Sequence, residues 1–386
     1  MPVRHLFAAA LALCALADPV SAAPRRSPAQ IDAEVARAMA ATGAKGLAVA
    51  VVRDGQVAYV QAYGVRNAAG DPLRTDTVMY GASLTKAVFG YTVAQLAQDG
   101  VIGLDRSIAD DLDRPLPDYP AESKYGPWRD LASDGRWRQM TPRLLLNHAS
   151  GFANFAFVEP DEKLRIHFDP GSRYAYSGEG LILLQFVLER GRGLDVGREM
   201  QRRVFDRFGM TRTSMMWRAD FAPNLADGFD AKGKVEPHDE RGRVRAAGSM
   251  DTTIADFARF AAGYVRGDGL SPATRADLTR PQLAITTASQ FPTLQPELPP
   301  GQRRPDLSAG LGVVVFDGPQ GRGFLKGGHD DTTGNIWVCV ERGHDCVVLL
   351  SNDVRAEAAY PRLTRFILGE TGAPWRWEYG DMTFWP

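Results

Sequence analysis

Residues 81 to 100, GASLTKAVFGYTVAQLAQDG, form a helix-like run that is apolar almost throughout yet begins with a serine and a lysine three positions apart. At 3.6 residues per turn, Leu84, Ala87, Val88, Phe89, Val93, Leu96 and Ala97 point around the whole cylinder. A helix without a wet face has to be enclosed, so the rest of the chain must fold around it. Ser83 and Lys86 share one face, which lays the amine beside the hydroxyl. Burial disfavours the charged form of a lysine and lowers its pKa, which suits it to take a proton from the serine near neutral pH. Spacing alone leaves a plainer alternative open: Ser83 as an N-cap, with Lys86 reaching to the surface.

Length bounds what can do the enclosing. A chain of 386 residues holds one large domain or two ordinary ones, and 44% hydrophobic with 24% charged residues is a soluble globular composition. The formal net charge of −1 argues against nucleic acid as a partner. Residues 1 to 23 read as a secretory signal, with Arg4, an apolar run over 6 to 16, and the small residues Ser21, Ala22 and Ala23 at its end. The run is too short for a stable membrane span and has no second candidate behind it, so a periplasmic or secreted product starting near residue 24 is expected. Cys14 follows Leu11-Ala12-Leu13 in a lipoprotein-like box, but Leu13 stands where such boxes carry a small residue, and lipidation is not expected. Cys339 and Cys346 then remain, in two β-branched runs around a turn at Arg342-Gly343 that sets them opposite each other. In an oxidising compartment they are disulfide candidates.

In chain order, residues 28 to 41 carry helical spacing through Ile31, Val35, Ala38 and Met39, and residues 46 to 65 read as two strands joined at Asp54-Gly55. Asp99-Gly100 ends the apolar helix. The polar stretch 115 to 139, with Trp128 and Trp137, reads as a surface excursion, and residues 217 to 247 as long loops near the site. Residues 247 to 267 open a helix for which Ser249 or Thr252 is the expected cap, with Asp256 in its first turns. The Pro-rich loop 287 to 306 is placed on a pocket rim, and residues 355 to 370 should form a C-terminal helix beside the N-terminal one.

The order of strand, D-G turn, strand, S-x-x-K helix and G-x-x-x-L-D resembles the serine β-lactamase and penicillin-binding-protein superfamily, in its class C, D-peptidase and family VIII esterase branch. Gly103-Leu104-Asp105, residues 108 to 112, and MTPRLLLNHASGF at 140 to 152 with Arg143, His148, Ser150 and Gly151 extend that resemblance over about residues 30 to 370. It implies an α+β, β-lactamase/transpeptidase-like fold: an antiparallel sheet flanked by N- and C-terminal helices, plus a mostly helical subdomain. One catalytic domain over 24 to 386 would comprise an α/β part at about 24 to 105 and 250 to 386, and a helical and loop part at about 106 to 249. Ser83 becomes the nucleophile with Lys86 beside it, and His148 a hydrogen-bonded structural residue.

Two further elements follow from the resemblance. In FDPGSRYAYSGEGLILLQFVLERG, residues 168 to 191, Tyr176 matches the catalytic tyrosine, with Tyr174 its nearest confusable neighbour, and Gly178 stands where the family usually has asparagine. That departure removes an amide that would bind a substrate amide, and it moves weight from β-lactams and peptides towards esters. Counting back from Asn352, Lys326-Gly327-Gly328 falls on the edge-strand motif, Lys326 supplying charge for a substrate carboxylate or carbonyl while Gly327 and Gly328, without β-carbons, let substrate backbone or ring approach the strand. The backbone N–H groups of Ser83 and His329 would then form the oxyanion hole. A shifted register instead makes His329 the motif residue, with Asp331 in place of its glycine. No metal or organic cofactor is implied, and His329-Asp330-Asp331 reads as a solvated turn. The expected function is a serine hydrolase, esterase-like or D-peptidase-like, acting on a small ester, D-amino-acid peptide or β-lactam; a class C-like β-lactamase or a non-turnover penicillin-binding sensor is the alternative. Which of Lys86 and Tyr176 is the base stays open, as does the oligomeric state.

Overall fold

A computed structural model describes residues 25–386. The expected signal segment, its cleavage site and Cys14 lie outside the described residues. Helix α1, Pro28–Thr42, is entered through a capping box in which Ser27 and Gln30 bond reciprocally, and it ends at Gly43 in the left-handed conformation. Strands β1, Gly46–Arg53, and β2, Gln56–Gly64, follow. Asp54 and Gly55 both have positive φ, 50° and 71°, which gives their turn the twist that adjacent strands need. Then come α2, Leu84–Gln98; α3, Gly178–Phe186; and α4, Ile254–Arg266. Six more strands of the main sheet are β3, Leu283–Ala284; β4, Leu307–Ala309; β5, Val314–Gly318; β6, Gly321–His329; β7, Gly334–Val340; and β8, Asp345–Ser351. Helices α5, Tyr360–Leu368, and α6, Trp375–Tyr379, close the chain.

The eight strands form one antiparallel sheet in the order β2-β1-β8-β7-β6-β5-β4-β3. Period-two alternation divides its side chains between two cores. Ala48, Ala50, Phe324, Trp337 and Val348 face one core with α2 and α4. Leu47, Val49, Leu325, Val338 and Leu349 face the other, filled by Ile31 and Val35 of α1 and by Leu363 and Ile367 of α5. Arg362 of α5 reaches Glu34 of α1 at 2.6 Å, so the terminal helices lie side by side.

Helix α2 is buried from Leu84 through Leu96, enclosed between the sheet and the segment 106 to 249. Tyr91, for example, meets Phe208 and Phe260 edge-on at 5.9 Å each. The segment is tied to the rest by Arg143, whose guanidinium bridges Asp105 at 2.6 Å and Asp277 at 2.8 Å. Stretch 115 to 139 is not a surface excursion at its tryptophans: Trp128 and Trp137 are buried, Trp128 against Phe186 of α3 at 5.8 Å. Its short 3-10 turns leave no periodic apolar pattern for these anchors to belong to. The cap of α4 is Thr253, which accepts from Asp256 N–H at 3.1 Å. Ser249 and Thr252 are excluded from that role because Asp251–Thr252 is still extended, paired with Met79–Tyr80. Cys339 and Cys346 face each other across β7 and β8 and are joined by a disulfide.

Candidate active site

The turn entering α2 is tight. Ala82 has φ of 45°, a left-handed value that costs a residue with a β-carbon and is held by the packing around it. Ser83 is already helical, and its side chain makes no capping hydrogen bond. Its Oγ is therefore free to point elsewhere: Lys86 Nζ lies 2.9 Å from it, and the Tyr176 hydroxyl donates to it at 2.8 Å. Lys86 is 1% exposed, so it does not reach the surface. Its second contact is the carbonyl of Ala247. Burial first, then the positive charges of Lys326 and Arg245, hold its pKa well below the ordinary lysine value.

Tyr176 is aimed by the start of α3. Ser177 is the N-cap, accepting from Gly180 N–H at 3.0 Å, while its own N–H donates to His148 Nδ1 at 3.1 Å. The His148 ring lies against the phenol ring at 4.5 Å. Burial keeps that imidazole well below its usual pKa, as a nitrogen that accepts a bond requires. Burial also raises the Tyr176 pKa, against the opposing effect of its bond to Ser83, so the group remains a phenol. Tyr174 belongs to the same core but turns its ring to Trp377, 5.8 Å away, instead of to Ser83.

Gly178 opens α3, and a β-carbon there would lie 2.3 Å from Cζ of Phe155. The ring of Phe155 thus occupies the space into which a side chain at 178 would project. It stacks on Phe157 at 5.1 Å, and Phe157 is 66% exposed at the mouth of the site.

Strand β6 forms the third wall. Asp330 N–H bonds Thr333 O at 3.1 Å, and with the β6–β7 register this sets the antiparallel alternation. Lys326 and Gly328 turn their backbone groups to β7; Gly327 and His329 turn theirs the other way. On that side β5 has already ended, at Val314 opposite Leu325, so the N–H of His329 lies on a free edge. The Lys326 ammonium donates to Gly327 O at 2.6 Å on the same edge and lies 5.1 Å from the centre of the Tyr176 ring. Burial pulls its pKa down to about 8, with the charge of Glu378 acting in the opposite direction. The imidazole of His329 instead meets Glu357, whose carboxylate is 3.4 Å from Nδ1 and holds the His329 pKa above its usual value. Of the two register alternatives, the structure brings the side chain of Lys326 beside Tyr176. A β-carbon on Gly328 would meet Leu84 N at 2.8 Å, Gly81 O at 2.9 Å and Ser83 N at 3.0 Å. This close approach of strand to helix entry admits only glycine, and the space at Gly327 is taken by Glu378, so the two glycines make room for protein atoms rather than for substrate as expected.

These walls enclose a cavity of about 880 Å³. The loops 217 to 247 and 287 to 306 both reach it, through Arg245 and through Gln290 and Phe291. Four contributors were not legible in the chain: Phe155, Arg245, the carbonyl of Ala247, and Glu378 from α6. Glu378 is 4% exposed and accepts from Gln290 Nε2 at 2.9 Å. Residues 247 to 267 read only as a helix and its entry, yet the carbonyl of Ala247 is a partner of Lys86. The aromatic setting of Glu378, PWRWEYG, was the one signal that its segment packs inward. Among the described residues, no group of three or more His, Cys, Asp or Glu is placed to hold a metal ion. No helix among them is long and apolar enough to cross a membrane.

An antiparallel sheet with both terminal helices on one face, and a serine, a buried lysine and a phenol gathered beside β6, defines the class of β-lactamase/transpeptidase-like folds. The chain belongs to the β-lactamase family, whose model matches residues 31–370. It is 27% identical over 256 residues to a lovastatin esterase of Penicillium rubens, covering 56% of this chain and 63% of that one. It is 23% identical over 269 residues to penicillin-binding protein 4* of Bacillus subtilis, covering 60% and 55%. The match thus spans less than two thirds of the length of these curated relatives. In fold, the D-alanine carboxypeptidase AmpC of Burkholderia cenocepacia superposes with a TM-score of 0.67 at 18% identity, over 88% of this chain and 97% of that one.

Proposed function

We propose that the protein is a serine esterase that works through an acyl-enzyme on Ser83. The observation that carries this is the convergence on Ser83 Oγ of Lys86 Nζ at 2.9 Å and the Tyr176 hydroxyl at 2.8 Å. Lys86, its pKa depressed, is the base: it takes the serine proton as Oγ attacks the ester carbonyl. Tyr176, kept a phenol, passes a proton to the departing alcohol oxygen. The N–H groups of Ser83 and His329 hold the tetrahedral oxyanion. The Lys86 ammonium then returns its proton to the Tyr176 phenolate across Oγ, and the neutral amine so restored deprotonates the water that splits the acyl-enzyme and passes the proton to Oγ as it leaves.

An ester is favoured over a β-lactam or D-amino-acid peptide because Phe155 fills the space at Gly178, leaving an apolar surface there rather than an amide. The similarity to a protein named lovastatin esterase supports the same choice. The test is intact mass after a fluorophosphonate, together with steady turnover of p-nitrophenyl butyrate. A single adduct at Ser83 and turnover lost in Ser83→Ala are expected. No adduct, or a burst of p-nitrophenol with no steady rate, refutes the reading. The disulfide supports work in an oxidising compartment. Expression of residues 1 to 386 in a Gram-negative host should give a periplasmic product starting near residue 24; a cytosolic product with an intact N-terminus refutes export.

A further inference from the structure

Glu378 takes no part in the mechanism above, yet it is a buried carboxylate in the wall of the same cavity. It is fixed there. Helix α6 delivers it, Gln290 Nε2 donates to Oε2 at 2.9 Å, and Oε1 lies where a β-carbon on residue 327 would be, 1.9 Å from that position. Gly327 therefore permits this carboxylate to close on the strand beside Lys326. A second carboxylate, Glu357, is 3% exposed and stands at the His329 end of the same strand. Glu357 is taken up by His329, so Glu378 is the carboxylate that the cation assigned to a substrate anion already has beside it. A carboxylate arriving at Lys326 must enter a poorly solvated space next to Glu378, where like charges repel much more than in water.

We propose that Glu378 makes the Lys326 end of the site exclude carboxylates, so that the substrates of this enzyme present a neutral or cationic group there. The inference rests on the esterase reading and adds the substrate class to it. It also sets this chain apart from one adapted to substrates whose anion pairs with the strand lysine.

The test compares three esters at pH 6.5, where Lys326 stays charged: p-nitrophenyl butyrate, the p-nitrophenyl hemiester of succinic acid, and 3-carboxyphenyl butyrate. The last two carry the anion on the acyl and on the leaving side. The readout is the ratio of kcat/KM for each anionic ester to that of the neutral one. In Glu378→Gln that ratio is expected to rise about tenfold or more for the ester that carries its anion to Lys326. A change under twofold for both overturns the inference while leaving the esterase intact. Should the variant fail to fold, the wild-type protein supplies the answer: with each ester normalised to its hydroxide rate, kcat/KM for the one carrying its anion to Lys326 should lie about tenfold or more below that of the neutral ester. A normalised ratio near one for both anionic esters overturns the inference. If the wild-type protein turns over none of the three, the esterase reading fails and takes this inference with it.

Discussion

Replacing Gly328 with alanine isolates the contact on which the proposed oxyanion hole depends. The added carbon would lie 2.8 Å from Leu84 N, 2.9 Å from Gly81 O and 3.0 Å from Ser83 N. All three are backbone atoms, so no flexible side chain can swing aside. Restoring ordinary contact requires β6 and the entry of α2 to part by roughly half an ångström, at an overpacking cost of about 1–3 kcal/mol. For a domain of this size that corresponds to a fall in Tm of several degrees. The same movement carries the N–H of His329 away from that of Ser83. Oxyanion donors act at about 2.7–3.1 Å, and losing one outright costs about 10²–10³ in kcat, so a half-ångström displacement should cost about ten- to thirtyfold. The loss should fall on kcat more than on KM, since the oxyanion exists only past the ground state. Turnover of p-nitrophenyl butyrate, the rate of fluorophosphonate labelling and a thermal melt measure all three effects. Gly301→Ala is the control, because a β-carbon there meets nothing within 4 Å. If Gly328→Ala keeps both kcat and Tm at control values, β6 is not pressed on the Ser83 turn and the two-donor oxyanion hole is wrong.

Lys86→Met should lower kcat/KM by about 10³-fold or more and at the same time raise Tm at pH 7. Because the folded-state pKa of Lys86 is depressed, the unfolded chain binds the extra proton; the lysine therefore destabilises the fold below pH 10.5 and the penalty fades as pH rises towards that value. The Tm gain of the variant should shrink accordingly between pH 7 and 10, and a gain independent of pH refutes this. The pH profile of kcat/KM should rise as Lys86 loses its proton, and Lys326→Gln should move that rising limb to higher pH, since the charge of Lys326 is one cause of the low Lys86 pKa; an unmoved rising limb refutes that coupling. Cys339→Ser with Cys346→Ser should cost about 2 kcal/mol by chain entropy, the short loop making the loss modest, and lower Tm by a few degrees with kcat unchanged. A kcat that falls with it would mean that the hairpin also positions β6.

What could be read from the chain was set by local regularity. The all-round apolar run of α2, the Asp54-Gly55 turn and the facing pair Cys339 and Cys346 are fixed by neighbours in sequence, and each carries its own physical signature. Ser83 and Lys86 were visible for the same reason, although only the structure separates an unbonded helix-entry serine from a cap. Tyr176 needed the order of landmarks, because its spacing does not distinguish it from Tyr174; the difference lies in Ser177, which caps α3 and turns one ring to Ser83 while the other faces Trp377. Phe155, Arg245 and Glu378 come from irregular segments and a five-residue terminal helix, where no period exists to read. Trp128 and Trp137 were misplaced for that reason, since a polar 3-10 stretch can be pinned by two buried rings without showing an apolar face.

The three glycines of the site show how one residue type serves separate ends. Each vacates the position of a β-carbon, and three different occupants take the space: the ring of Phe155 at Gly178, the carboxylate of Glu378 at Gly327, and the backbone of the Ser83 turn at Gly328. Only the last bears on the proposed reaction itself, because it sets the distance between the two N–H groups assigned to the oxyanion. The other two leave Ser83, Lys86 and Tyr176 untouched and change what surrounds them, one wall becoming aromatic and another anionic. A site can therefore keep the geometry of its nucleophile and still change its substrates through residues that touch none of the reacting atoms. It follows that substitutions at Phe155 and Glu378 should shift the order of preference among esters, whereas substitutions at Gly328 should slow all of them alike.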